Sequence, residues 1–168
     1  VTRVSRPAEA LVLLADKRFD LIIMMPGIDI SETFTGAKDI KSLYHDTPIV
    51  VLTPFSKEVS RRLAKEDFTA VDYVFSWLGN VDLLLAIIKL LEDKMNADND
   101  INEVGVQMIL LVEDSVRFYS SVLPILYKFL LKQSLIFSTE ALNEHEQMLR
   151  MRGRPKVMLA RDYEEAVA

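Results

Sequence analysis

The sequence predicts an α/β fold built on a doubly wound parallel sheet, and three observations carry that expectation. Short apolar, β-branched runs alternate with stretches of helical spacing, joined by short loops, which is how strands and crossover helices build a parallel sheet. The run 108–112 (Met-Ile-Leu-Leu-Val) is continuously apolar, as a strand buried on both faces reads, and two adjacent acids, Glu113 and Asp114, follow it. Half of the 168 residues are hydrophobic, enough to bury the core of one domain or a domain and a half.

Taken in order, 1–5 suits a short strand. Residues 6–19 follow helical spacing, with Ala10, Leu11, Leu13 and Leu14 as the apolar stripe. Residues 20–25 read as a buried strand stopped by Pro26 and Gly27. Residues 31–45 form a weaker helix with Gly36 inside it, and 47–53 is another β-branched strand. Ser56 suits the N-cap of a helix over 57–67, with Glu58 near its start. A strand follows at 70–76. Asn80 caps a strong helix over 81–95, striped by Leu84, Ile87, Ile88 and Leu91. Residues 96–107 are polar and turn-rich and read as a linker. Strand 108–113 comes next, then a long helical stretch over 115–152. Pro124 falls in its third turn and would bend it, and 134–139 reads as a break. Gly153 and Pro155 end the stretch. Residues 156–160 form a strand, and a helix begins at Tyr163.

Bulk properties exclude several classes. The net charge is −5 and the pI about 5.1, which disfavours nucleic-acid binding through Lys and Arg on phosphates. There is no cysteine, hence no disulfide framework and no thiol chemistry, and a reducing, cytoplasmic setting fits. No apolar run approaches the ~20 residues of a membrane helix, and no signal peptide opens the chain. It begins with Val1, as a piece of something longer would. His45 and His145 lack zinc-site spacing, and Glu144, His145 and Glu146 do not form the HExxH pattern. Five glycines without a glycine-rich loop leave no dinucleotide or phosphate-loop signature. Arg150, Arg152, Arg154 and Lys156 make a basic cluster at a helix end, which the helix dipole explains.

Acids placed directly after a parallel strand lie at its carboxyl end, where open α/β sheets bind ligands. Two carboxylates there can hold a hard divalent cation such as magnesium. Glu113 and Asp114 suit the N-terminus of the following helix equally well.

In their order, these motifs resemble the two-component receiver domain. Phe19 to Ile23, then Met25-Pro26-Gly27, resembles a receiver's third strand and turn. The run 47–53 resembles the fourth strand, ending in the switch threonine, Thr53. Val71 to Phe75 resembles the fifth strand with its switch aromatic, Tyr73. The run 108–115 resembles the first strand and acidic pair of a second copy. The stretches 116–124 and 154–166 are similar to the tandem receiver-like region of large bacterial proteins that also carry a pyruvate phosphate dikinase-like nucleotide-binding domain. The resemblance implies a flavodoxin-like, five-stranded sheet of order 2-1-3-4-5. It makes 1–95 a receiver without its first strand, 96–107 a linker, and 108–168 the N-terminal part of a second receiver.

The chemistry that the resemblance implies is incomplete. A receiver accepts a phosphoryl group on an aspartate at the end of its third strand. That position is Met25 counted from the strand start, or Ile22 counted from Met-Pro-Gly, and neither can form an acyl phosphate. Asp29 lies past the turn. The lysine position, three after Tyr73, is Ser76, and Trp77 stands where a proline is usual. Stabilising the transferred charge needs the cation and the lysine together.

The expected function is therefore a non-enzymatic pseudo-receiver that regulates through protein contacts, with a sensor kinase or a fused effector domain as partner. No cofactor is required, and magnesium is the ion Glu113 and Asp114 would hold. One alternative is a phosphorelay receiver whose acceptor lies beyond residue 168; another is a flavodoxin-like enzyme domain, which fold alone cannot establish. Thr53, Tyr73 and Phe75 also suit an ordinary sheet, and Met24 and Met25 suit core filling. A sheet lacking its central first strand would take strand 108–113, from the same chain or from a neighbour in a strand-swapped homodimer. That would set Glu113 and Asp114 beside Met25, Thr53 and Ser76.

Overall fold

The computed structural model describes residues 1–27, 30–54, 67–77, 79–103, 105–139 and 153–167. It is a mixed α/β structure with two small parallel sheets. The chain divides into two compact units, Val1–Leu78 and Gly79–Ala168.

The first unit opens with a segment that has no regular secondary structure, rather than the expected strand at 1–5. Helix α1, Pro7–Asp16, starts with proline in its first turn, where the missing N–H costs nothing. Glu9 accepts a hydrogen bond from the Ser5 backbone N–H at 2.9 Å. The helix ends at Lys17, whose extended backbone breaks the pattern, and Leu14 is its buried anchor. Strand β1, Ile22–Met24, is shorter than its apolar run. Helix α2, Ile30–Leu43, buries Phe34, Ala37 and Ile40. Strands β2, Ile49–Pro54, and β3, Tyr73–Trp77, complete a sheet of order β1-β2-β3, parallel throughout. The central β2 is buried from Ile49 to Thr53, as its unbroken apolar sequence requires.

Lys41 of α2 and Asp72 join at 2.9 Å, and Asp72 Oδ2 also accepts the Ile49 N–H at 2.8 Å. This ties α2 to the amino ends of β2 and β3. The expected helix over 57–67 and its Ser56 cap lie outside the described residues, apart from Asp67 itself. Asp67 is held by Lys38 at 2.8 Å; that ammonium, with the Thr69 backbone N–H, keeps its carboxyl well below the usual carboxylate range.

The second unit begins with α3, Asp82–Asn102. Asn80 caps it: its side-chain oxygen accepts the Asp82 N–H at 3.0 Å. The helix runs well past 95, so 96–102 is helix and not linker. Three contacts hold this polar turn in place. Ala97 is buried, Asn96 donates to the Glu92 carbonyl, and Asp100 meets Lys156 at 2.7 Å. The true stop is Gly105, with φ of +71°, where Val106 N–H reaches back to the Asp100 carbonyl at 3.0 Å, six residues earlier. The Gly105 N–H itself donates to the Ile101 carbonyl at 3.1 Å, the bond of a left-handed cap that glycine adopts without a Cβ penalty.

Strand β4, Met108–Val112, runs into helix α4, Val116–Thr139, and returns as strand β5, Lys156–Ala160. The two strands pair in parallel, which a crossover through α4 permits. The expected break over 134–139 is absent, because the Ser134 hydroxyl is absorbed by the Leu130 carbonyl at 3.0 Å within the helix. Pro124 is accommodated inside α4. Tyr119, Leu123, Tyr127 and Leu130 of α4, with Leu83, Ala86, Ile87 and Leu90 of α3 and Val157 and Leu159 of β5, form the buried core. A short helix α5, Tyr163–Val167, follows β5. It is braced by Arg161, whose backbone N–H and guanidinium both donate to Glu165. Burial raises the Glu165 pKa, but those two donations outweigh it and leave the carboxyl below its ordinary range.

No pairing of β4 with β1, β2 or β3 occurs among the described residues. The hydrogen-bonded neighbour of β4 among the described residues is β5, in a separate two-stranded sheet. Among the described residues the expected five strands thus appear as a three-stranded and a two-stranded parallel sheet.

Candidate functional site

The carboxyl ends of parallel strands are where ligands meet open α/β sheets, so the residues there come first. In the first sheet Thr53 lies level with Ser76, and Met24 with Val51 and Val74. Met25 follows β1 directly. Thus Met25, Thr53 and Ser76 gather at one end of three adjacent strands. Thr53 and Ser76 are buried, whereas Met25 is 64% exposed. Its thioether cannot act as a phosphoryl acceptor. Asp29, the nearest later acid, lies outside the described residues.

Side chains alternate across a sheet, and the register puts Thr53 and Ser76 on one face and Tyr73, level with Val50, on the other. Tyr73 is buried at the opposite end of β3 and stacks obliquely on Phe75, ring centroids 6.2 Å apart. The two expected switch residues therefore do not share a surface of the sheet. The face of Thr53 is also that of Met24, whose terminal methyl approaches Gly36 of α2.

Glu113 and Asp114 follow β4. The Glu113 N–H closes the ladder with the Ala160 carbonyl at 2.9 Å. Its carboxylate accepts the Ser115 N–H at 2.9 Å, and Ser115 Oγ accepts the Phe118 N–H at 3.3 Å. Glu113 and Ser115 thus finish the start of α4, a role the sequence offered to Glu113 and Asp114. Asp114 is exposed. Among the described residues no three His, Asp or Glu side chains gather as a metal-ligand set.

The densest polar cluster was not legible as a site. Asp93 of α3 is fully buried. It receives two bonds from Arg154, at 2.6 and 3.0 Å, one from Tyr127 Oη at 2.9 Å and one from the Val157 N–H at 2.9 Å. The Arg154 guanidinium also lies 5.7 Å from the Tyr127 ring centroid. Lys156 approaches Asp93 at 3.9 Å. Reading Arg154 and Lys156 as helix-dipole partners is therefore corrected: both are buried, and both answer acids of α3. Arg150 and Arg152 lie outside the described residues. Asp93 is fully buried and accepts four hydrogen bonds from within the protein, which makes this cluster a structural hub.

No helix among the described residues is long and apolar enough to cross a membrane. Comparison with known proteins gives no matching family model, no matching curated protein and no matching solved structure.

Proposed function

We propose that the chain is a receiver-type signalling module that has lost phosphoryl transfer and acts through protein–protein contacts, as a cytoplasmic partner of a sensor kinase or a fused effector domain. One observation carries the proposal. Met25, Thr53 and Ser76 occupy the carboxyl ends of three adjacent parallel strands, the positions where a receiver keeps its acceptor, its hydroxyl and its lysine. Two of the three have lost the required group. On this reading β1-β2-β3 is the 3-4-5 part of one five-stranded sheet, and β5-β4 is the 2-1 part of a second, in the doubly wound order 2-1-3-4-5. The pairings and parallel sense observed in each half agree with that assignment.

The test is intact mass after incubation with acetyl phosphate and magnesium. An unchanged mass is expected. A stoichiometric phosphate adduct mapped to an aspartate, with Asp29 the first to inspect, would overturn the pseudo-receiver.

A further inference from the structure

Helix α4 turns one face to the core and leaves the other open. Tyr119, Leu123, Tyr127 and Leu130 are buried, whereas Phe118 is 53% exposed, Ile125 69%, Phe129 58% and Ile136 44%. At 3.6 residues per turn these last four fall within about 40° of one another and form a single ridge. A phenylalanine carries roughly 200 Å² of surface. The ridge therefore presents on the order of 400 Å² of apolar area, as large as the patches that mark interaction sites on monomers. Charge is distributed unevenly around it. Arg117, Lys128 and Lys132 all lie to one side of the ridge, and the uncharged Val122 and Gln133 lie to the other. The whole chain carries 25 acids against 20 lysines and arginines, yet the 24 residues of α4 include no acid. On the basic side an open groove of about 370 Å³ is lined by Asp82, Pro124, Ile125, Lys128, Phe129 and Lys132.

We propose that this face docks an amphipathic helix of another protein, one whose apolar stripe is edged with aspartate and glutamate. The partner's stripe seats on the ridge, and its apolar anchors enter the groove beside Ile125 and Phe129. Its acids then run along the side of Arg117, Lys128 and Lys132. Charge selects this occupant. A second copy fits poorly, because its α4 brings three more cations and no acid, and like charges set against each other oppose association. A broad anionic lipid surface would face the net charge of −5 that the whole chain carries. A single helix meets only the basic edge, since charges more than ~10 Å away are screened. The groove wall also holds Asp82, which meets Lys128 at 3.3 Å. Both side chains are exposed, and such a pair is weak enough for a partner carboxylate to share the lysine. The proposal stands on α4 and the start of α3, and holds whether or not the chain is a receiver.

The probe is a labelled, alanine-based helical peptide of about 18 residues, with leucines at i, i+4, i+7 and i+11 and glutamates along one edge of that stripe. Its twin carries lysines in place of the glutamates. Titrated with the full chain and followed by fluorescence anisotropy, the glutamate peptide should bind at least ~10-fold tighter than its twin, because each exposed ion pair adds up to a few-fold. The ratio should fall towards one as salt approaches about 1 M, where the Debye length is ~3 Å. Lys128→Glu together with Lys132→Glu should reverse the preference, and Phe129→Ala should weaken both peptides about 10-fold. These side chains are exposed, so the variants should melt with the parent, which confirms that they fold. Vesicles of phosphatidylglycerol should not bind. Failure of the glutamate peptide to bind below about 1 mM, equal affinity for the two peptides, or a preference that the double variant leaves in place would each overturn the proposal. Vesicle binding abolished by the double variant would overturn it too, and would make this a lipid-binding face.

Discussion

Asp93 shows what one carboxylate does when it leaves water entirely. An isolated buried charge is prohibitive, and a paired one is stable only if its remaining lone pairs are answered. Here Arg154, Tyr127 and the Val157 N–H answer them, so α3, α4 and β5 are pinned at one point. Asp93→Ala should cost about 3–5 kcal/mol, because it strands the Arg154 cation in the interior. Denaturant unfolding of the variant measures this, and a loss under about 1 kcal/mol would remove Asp93 as the hub. Replacing Asp93 and Arg154 together by Leu and Met should recover part of the loss, as buried pairs exchanged for apolar residues commonly do. The sequence could not display this cluster. Asp93 and Arg154 are 61 residues apart, and an aspartate within a helical stripe carries no local sign of burial. The end of β1 at Met24, by contrast, was legible, since it depends only on the apolar run and the Pro-Gly turn after it; Met25, expected as core filling, is instead exposed.

Period and punctuation locate elements well wherever the signals that decide them are local. Strands β2, β3, β4 and β5 and helices α1 and α2 sit within a few residues of their expected bounds. The failures are at ends decided by tertiary contact: 96–102 stays helical because Ala97 and Asp100 find partners. The stop at Gly105 was visible as a glycine but not as a cap. Gly36 illustrates the same competition inside α2. Alanine is favoured over glycine in a helix by about 1 kcal/mol, which alone predicts stabilisation. A Cβ there would lie 2.5 Å from Cβ and 2.6 Å from Cγ of Pro7, atoms of a rigid ring at the start of α1. Forcing α1 and α2 apart should win, with Gly36→Ala less stable by about 1–3 kcal/mol. A variant that melts at or above the parent temperature would show that the two helices can shift freely.

For the molecule as a whole, alternating periodicity established the class, α/β with parallel strands, but not how strands divide between sheets. That choice is made by edges. A continuously apolar strand such as β4 states that both of its faces are to be covered but says nothing of its edge neighbours, and in this structure β5 pairs with it on one edge. Glu113 N–H donates to Ala160, and the two-residue repeat of a parallel ladder turns the N–H groups of Leu111 and Ile109 towards β5 as well. Those of Met108, Leu110 and Val112 then point to the other edge, and their side chains are about half exposed. Such an edge invites pairing with any further strand. Hydrogen exchange on the dilute chain should therefore split β4 by parity, with Leu110 and Val112 exchanging on the order of a hundredfold faster than Ile109 and Leu111. Uniform slow exchange along 108–112 would mean that another strand covers the edge. If that protection also grew with protein concentration, the strand would come from a second chain, and β4 would take its missing neighbour by exchange between copies.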